Sequence, residues 1–472
     1  METREKLSTH DKALKINLDP KRYGSFAEIG AGQEVVRWFF QVGGAAGTIA
    51  KSISAYDMKV SDAIYGRCER YVCRARLESM LQREQSLNLD RLKSTRGDTT
   101  AFFSFADTVS ARNFHGTNEC HGWMGIRFQA HPRDEDSQII LHVHMLDGTN
   151  ALQQEALGIV GVNLMYGACK LHHDPGLLIE SLLDNLDISR VEIDMIEFSG
   201  IEFRHVDNRL MTLKLVQLGL TNAAMFGPDG VVLQPAEALR KRPILVERGS
   251  FRPVTHTNLD IMRCAYERFC EEPGVEKNQV VQLMEITMKN LLQTGEIDYR
   301  DFLARADMLG ACGMPVLISN YFEYYRLAAY LQRYTKAKIG ITMGAGSLGQ
   351  LFEEKYYYEL EGGILESSGR LFKNDLKLYI YPFAGDDSQV LTTTENLEIA
   401  DDLKQLYGHL IRRGNIEDLT NYDRGCLSIF SRDVLSRISS EDDSWESLVP
   451  EAVAQVIKDR HYFGYAHEHS VC

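Results

Sequence analysis

At 472 residues the chain is too long for one ordinary hydrophobic core, so two or three domains are expected. Hydrophobic content of 44% and charged content of 25% are those of a globular protein with a water-facing surface. A formal net charge of −14 argues against a general polyanion binder, which would carry a basic stripe, so nucleic acid is not expected as a partner.

The nine cysteines are scattered, odd in number and without a Cys-x-x-Cys pair, which fits free thiols in a reducing cytoplasm. Met1 to Lys15 is charged and lacks the apolar centre of a signal peptide. No window reaches the roughly 18–20 apolar residues that span a bilayer. A cytoplasmic location without a membrane partner is therefore expected.

In chain order, the first dozen residues read as polar and loose, followed by helices over 34–40, 49–76 and 77–91 around the small-residue turn Gly43 to Gly47. From about residue 99 the pattern changes. Ala101–Ala106, Trp123–Gln129, Gln138–Leu146 and Val191–Phe198 read as strands, with clear alternation in Ile139 to Met145. Segments 152–166 and 175–186 read as short helices. Arg209–Gly219 and Ala223–Phe226 read as strand and turn, closing at Gly227-Pro228-Asp229-Gly230. Residues 1–240 thus suggest a mixed α+β domain with a largely antiparallel sheet.

Residues 241–472 alternate strands with helices, which argues for an α/β domain with a parallel sheet and crossover helices. The expected strands are Ile244–Val246, Val316–Ile318, Lys338–Met343 and Leu376–Tyr381. The expected helices are Leu259–Cys270, Lys277–Gln293, Tyr299–Leu309, Tyr321–Tyr334 and Gln350–Tyr358, with a helical acidic tail from 394 that frays over 463–472. In such sheets ligands sit at the carboxyl ends of the strands.

Between the first of these strands and its helix runs Gly249-Ser250-Phe251-Arg252-Pro253-Val254-Thr255-His256-Thr257-Asn258-Leu259. A Gly-initiated loop before a helix start can hold phosphate. The stretch resembles the signature of the nucleotidyltransferase superfamily, specifically the nicotinamide/nicotinate mononucleotide adenylyltransferases, whose pattern runs Gly-Ser/Thr-Phe-x-Pro-x-His/Thr-x-x-His-Leu. Gly249, Ser250, Phe251, Pro253, Thr255 and Leu259 match, whereas Asn258 stands where the pattern has its last His. The resemblance implies a Rossmann-like domain that joins a pyridine mononucleotide to Mg-ATP and releases pyrophosphate. It further implies that Gly249, Ser250 and Phe251 line phosphates, that Thr255, His256 and Asn258 contact them, and that Arg248 or Arg252 adds charge. His256, Asn258 and Arg252 are the catalytic candidates. An alternative for the helix start is a capping box from Thr257 to Asp260.

The family's second signature, Ile-Ser-Ser/Thr-Thr-x-x-Arg, has its nearest counterpart in Leu365 to Arg370, which makes Arg370 and Lys373 candidate phosphate contacts. Gly344-Ala345-Gly346-Ser347-Leu348-Gly349 spells a dinucleotide fingerprint after a strand, so Gly344, Gly346 and Ser347 are nucleotide-binding candidates, with a plain tight turn as the alternative.

His142 and His144 alternate on one strand and share a face, and His115, Cys120 and His121 lie upstream. Three such donors would suit Zn²⁺ or Fe²⁺, a polar sheet face being the other reading. No residue is assigned as a metal ligand at this point. The aromatic-rich segments 321–326 and 355–359 suit a core or a subunit interface, so a homo-oligomer is expected. The rivals to an adenylyltransferase are a regulatory nucleotide-binding protein on the same fold and a self-assembling structural protein; a dehydrogenase using the 344–349 loop is a further option.

Overall fold

The computed structural model describes residues 6–30, 32–293, 295–384 and 390–465. The end of the tail, 466–472, lies outside them. Two compact units are formed, Met1–Asn222 and Ala223–Cys472. The sequence expectation put the division near 240. Residues 223–240 belong to the second unit because Ala223–Phe226 pairs antiparallel with Val316–Ser319 of its sheet.

The first unit is α+β. Its sheet comprises β1 (Arg22–Ile29), β2 (Ile49–Ile53), β3 (Ala101–Ser110), β4 (His121–Phe128), β5 (Ser137–Met145) and β6 (Val191–Gly200), in the order β2-β1-β3-β4-β5-β6. The β3 to β6 stretch is antiparallel, and β1 runs parallel to both β2 and β3. The helix Asn150–Lys170 contributes Leu157, Val160 and Leu164 to the core beneath Phe103, Phe105 and Leu141.

Three expectations are corrected in this unit. Segment 9–17 is a helix, not a loose end, because Lys12 turns inward onto Asp184 at 2.7 Å beside the buried Ala13 and Ile16. Ile49–Ile53 is a strand and the helix there begins only at Met58. Segment 208–217 is a helix, capped by Asp207.

The second unit is α/β. Its strands are β7 (Ala223–Phe226), β8 (Val232–Leu233), β9 (Ile244–Arg248), β10 (Val281–Thr287), β11 (Val316–Ser319), β12 (Ile339–Gly344), β13 (Lys377–Tyr381) and β16 (Ile416–Asp418), with a separate ribbon of β14 (Phe383–Ala384) and β15 (Leu391–Thr392). The sheet order is β16-β13-β12-β9-β10-β11-β7-β8. All neighbours from β16 to β11 are parallel, and β7 and β8 form an antiparallel edge. The chain steps outward from β9 to β10 and β11, then returns to lay β12 on the other side of β9. That reversal opens a crevice over the carboxyl ends of β9 and β12, the place where doubly wound sheets bind ligands. Residues 281–287, expected to be helical, form a central strand whose Leu283, Met284 and Ile286 are fully buried. Residues 416–418, expected within a helical tail, add the edge strand β16.

Candidate functional site at the carboxyl edge of the second sheet

Arg248 closes β9 and is pinned from several sides. Its guanidinium forms a bidentate pair with the buried Glu285 of β10 at 2.7 and 3.0 Å, and donates to the carbonyls of Tyr321 at 3.0 Å and Phe322 at 2.6 Å. The Tyr324 ring lies 4.1 Å away. Burial would lower the guanidinium's proton affinity, but Glu285 outweighs it and holds the group firmly protonated. Arg248 therefore ties β9, β10 and the end of β11 together, with its charge already balanced.

The loop that follows is held from within. Gly249 donates its N–H to Glu285 O at 3.1 Å and accepts at its carbonyl from Asn290 Nδ2 at 3.0 Å. A Cβ on Gly249 would lie 2.8 Å from atoms of the Phe251 ring, so this glycine makes room for a side chain. Phe251 is buried and takes a φ of 48°. Ser250 O accepts from Arg305 Nη1 at 3.1 Å. Arg252 pairs with Asp301 at 2.5 Å, and Asp301 also binds Arg305.

The helix His256–Phe269 starts with a capping box, two residues earlier than expected. Thr255 is the N-cap and Asn258 is N3, with the Thr255 N–H donating to Asn258 Oδ1 at 3.0 Å. The amide of Asn258 reaches Glu247 Oε1 at 3.0 Å. Thr257 points elsewhere, donating to the carbonyls of Cys426 and Ile429. Asp260 accepts from Tyr381 Oη at 2.7 Å, anchoring the helix to β13. Glu247 is buried, its Oε2 has no partner, and burial pushes its carboxyl up to about 8 against the weaker pull of Asn258. His256 sits half-buried in the first helical turn.

A cavity of about 310 Å³ lies over four strand ends. Arg248 ends β9 and Thr287 ends β10; Lys289, Asn290 and Gln293 follow β10, Phe322, Glu323 and Tyr324 follow β11, and Ser347, Gln350 and Leu351 lie in the helix after β12, with Tyr356 and Tyr357 closing the side. Lys289 lies 3.7 Å above the Phe322 ring, and Phe322 meets Tyr356 edge-on at 5.3 Å. Cation, hydroxyl and aromatic groups so arranged can take a phosphorylated, ring-bearing ligand.

Of the sequence candidates, Arg248 and Ser347 meet in this cavity. Gly249, Ser250, Phe251, Arg252, Thr255, His256 and Asn258 are not among its lining residues; Phe251 is packed inward and Arg252, Thr255 and Asn258 are held in the ion pair and the helix cap. Gly344 ends β12 and caps the helix Ala345–Leu351, which places Gly346 and Ser347 in a helical turn. Gly346 lines a neighbouring cleft with Lys355 and Tyr358. Arg370, paired to Glu366 at 2.6 Å, lies with Lys373 in another groove, beside Tyr325 and Arg333. Sequence reading missed Lys289, Asn290 and Gln293, all inside the segment taken for a helix; a β10 strand in its place would have put them at the sheet's carboxyl edge.

No family model matches the chain, and no curated protein does. Solved structures are similar over part of it. The Plasmodium falciparum nicotinic acid mononucleotide adenylyltransferase complexed with APC shares 9% identity over 48% of this chain and 98% of its own, with a TM-score of 0.30. The competence/damage inducible protein of Agrobacterium tumefaciens shares 13% identity over 34% of this chain and 97% of its own, at a TM-score of 0.25. The competence damage-inducible protein A of Klebsiella pneumoniae shares 13% identity over 36% and 99%, at 0.26. Likenesses this faint, each confined to part of the chain, do not assign a function. Among the described residues no helix is long and apolar enough to cross a membrane.

Proposed function

We propose that the second unit binds a nucleotide in the carboxyl-edge cavity, and that its chemistry is adenylyl transfer to a pyridine mononucleotide. The observation that carries the reading is the convergence of Lys289, Ser347, Phe322 and Tyr356 over the reversal point of a doubly wound sheet. In the reaction a phosphate oxygen of the mononucleotide attacks the α-phosphorus of ATP, the bond from that phosphorus to the bridging oxygen breaks, and pyrophosphate leaves. Such transfers depend on alignment and charge stabilisation more than on covalent participation by the protein. Lys289 supplies positive charge, Ser347 a hydroxyl donor, and Phe322 with Tyr356 an apolar edge for a base.

Mg²⁺ is expected to enter on the ATP phosphates. The one carboxylate on the cavity wall among the described residues is Glu323, paired with Arg326 at 3.2 Å, which is not a ligand set for the ion.

A second reading, nucleotide binding without turnover, is favoured by one observation. Asn258 is held between the helix cap and Glu247, so the position of the family's last imidazole carries no charge. Pyrophosphate release from Mg-ATP with nicotinamide or nicotinate mononucleotide separates the two. Release that is lost in Lys289→Ala supports transfer, binding without release selects the second reading, and absence of binding rejects both.

A further inference from the structure

In the first unit, β4, β5 and β6 bring three imidazoles and a carboxylate onto one face. His121 lies opposite His144 in the β4–β5 register, and His142 and His144 are two residues apart on β5. The register of β5 with β6 shifts between His142 and Val143, which leaves Asp194 as the extra residue of a bulge. Bulges re-aim side chains, and this one turns Asp194 between the two histidines. Asp194 Oδ1 lies 2.6 Å from His142 Nδ1 and Oδ2 lies 3.0 Å from His144 Nε2. All three side chains are buried, at 1%, 3% and 1% exposure for His142, His144 and Asp194. His115 and Cys120, the other donors considered from sequence, do not join the cluster.

We propose that His142 Nδ1, His144 Nε2 and the Asp194 carboxylate bind a zinc ion. The donor atoms of these residues lie within 4.8 Å of one another, and this is the one such group among the described residues. Two histidines and a carboxylate are a recurrent zinc set. A buried carboxylate between two imidazoles gives a divalent cation a negative charge and two nitrogen donors in one place. The outer partners are those of a ligated pair. His142 Nε2 lies 2.9 Å from His121 Nδ1, which orients that ring, and the Glu119 carboxylate lies 3.6 Å from His144 Nδ1. Zinc about 2.0–2.2 Å from each donor sets tetrahedral ligands about 3.3–3.5 Å apart, so the His142–Asp194 and His144–Asp194 pairs at 2.6 and 3.0 Å open by less than about 1 Å. The ion would clamp β5 to β6 across the bulge.

The test is calorimetric titration of chelator-treated full-length protein with ZnCl₂, followed by zinc X-ray absorption. The expected result is about one ion per chain with a first shell of nitrogen and oxygen at about 2.0–2.2 Å. Asp194→Asn, which keeps the side chain's shape, should abolish uptake, and His121→Ala, which removes an outer partner, should weaken it by about tenfold. No uptake, or a sulfur shell at about 2.3 Å from cysteine ligands, would overturn the assignment. Should Asp194→Asn fail to fold, the wild-type absorption spectrum alone decides.

Discussion

Replacing Glu247 by Gln isolates the electrostatic cost at the base of the candidate site. Glu247 is 3% exposed, accepts one bond from Asn258 and leaves Oε2 unpartnered. Burial raises its carboxyl from an ordinary 4.5 to about 8. At about 1.4 kcal/mol per pH unit, that displacement corresponds to on the order of 5 kcal/mol between the two protonation states. The sign follows from proton uptake. Between 4.5 and about 8 the folded chain holds a proton that the unfolded chain has released, so stability falls as pH rises through this window and levels off above it. Gln cannot ionise, yet its carbonyl still accepts from Asn258. Wild type and variant should therefore match within about 1 kcal/mol near pH 5, while near pH 8.5 the variant should be the more stable by roughly 3–5 kcal/mol. Hydrogen exchange of the β9 and β10 amides measures this within the second unit. Taking the difference between the two proteins cancels every other titrating group. Equal pH dependence in both would mean that Glu247 does not hold a proton in the folded chain across this window.

Other substitutions test other joints. Asn258→Ala removes the N3 half of the capping box and, among the described residues, the one donor to the Glu247 carboxyl, and should lower the second unit's stability by about 2–3 kcal/mol in denaturant unfolding. Lys12→Met removes the charge that pairs with the buried Asp184 at 2.7 Å and the donor to Asn163, and should cost the first unit about 3–5 kcal/mol by the same measurement. Asp107 of β3 lies opposite Glu28 of β1, fully buried with both oxygens unpartnered; burial pushes it well above the usual carboxylate range, and Glu28 up to about 7. Stability there falls as pH rises, so Asp107→Asn should raise the melting temperature near pH 8 more than near pH 5, read by scanning calorimetry.

The parts that sequence made legible are those whose pattern is local. Ile139 to Met145 alternates because the antiparallel β5 is read residue by residue, and β9 with its following helix is marked by an apolar run, a glycine and a proline. What escaped depends on distant partners. Residues 281–287 carry no alternation because a central parallel strand is buried on both faces, which resembles the side of a buried helix. The N-terminal helix looked solvated because its buried lysine is matched by Asp184, far along the chain. In the loop at 249–258, Asn258, Gly249, Arg252 and the Ser250 carbonyl are bonded to Glu247, Glu285 and Asn290, Asp301, and Arg305. Those partnerships are invisible in the motif, and the cavity is lined instead by Lys289 and Ser347 together with Arg248. The pairing of His142 with His144 follows from a period of two, whereas Asp194 reaches them through a bulge that no local pattern announces.

The central claim is that the carboxyl-edge cavity of the second unit holds a nucleotide. Calorimetric titration of the full chain with Mg-ATP, beside the Lys289→Ala and Ser347→Trp variants, tests it most directly. Saturable binding to the wild type is expected, falling by about tenfold or more when the Lys289 charge is removed and disappearing when Trp fills the cavity. Absence of binding, or binding that neither substitution changes, would contradict it.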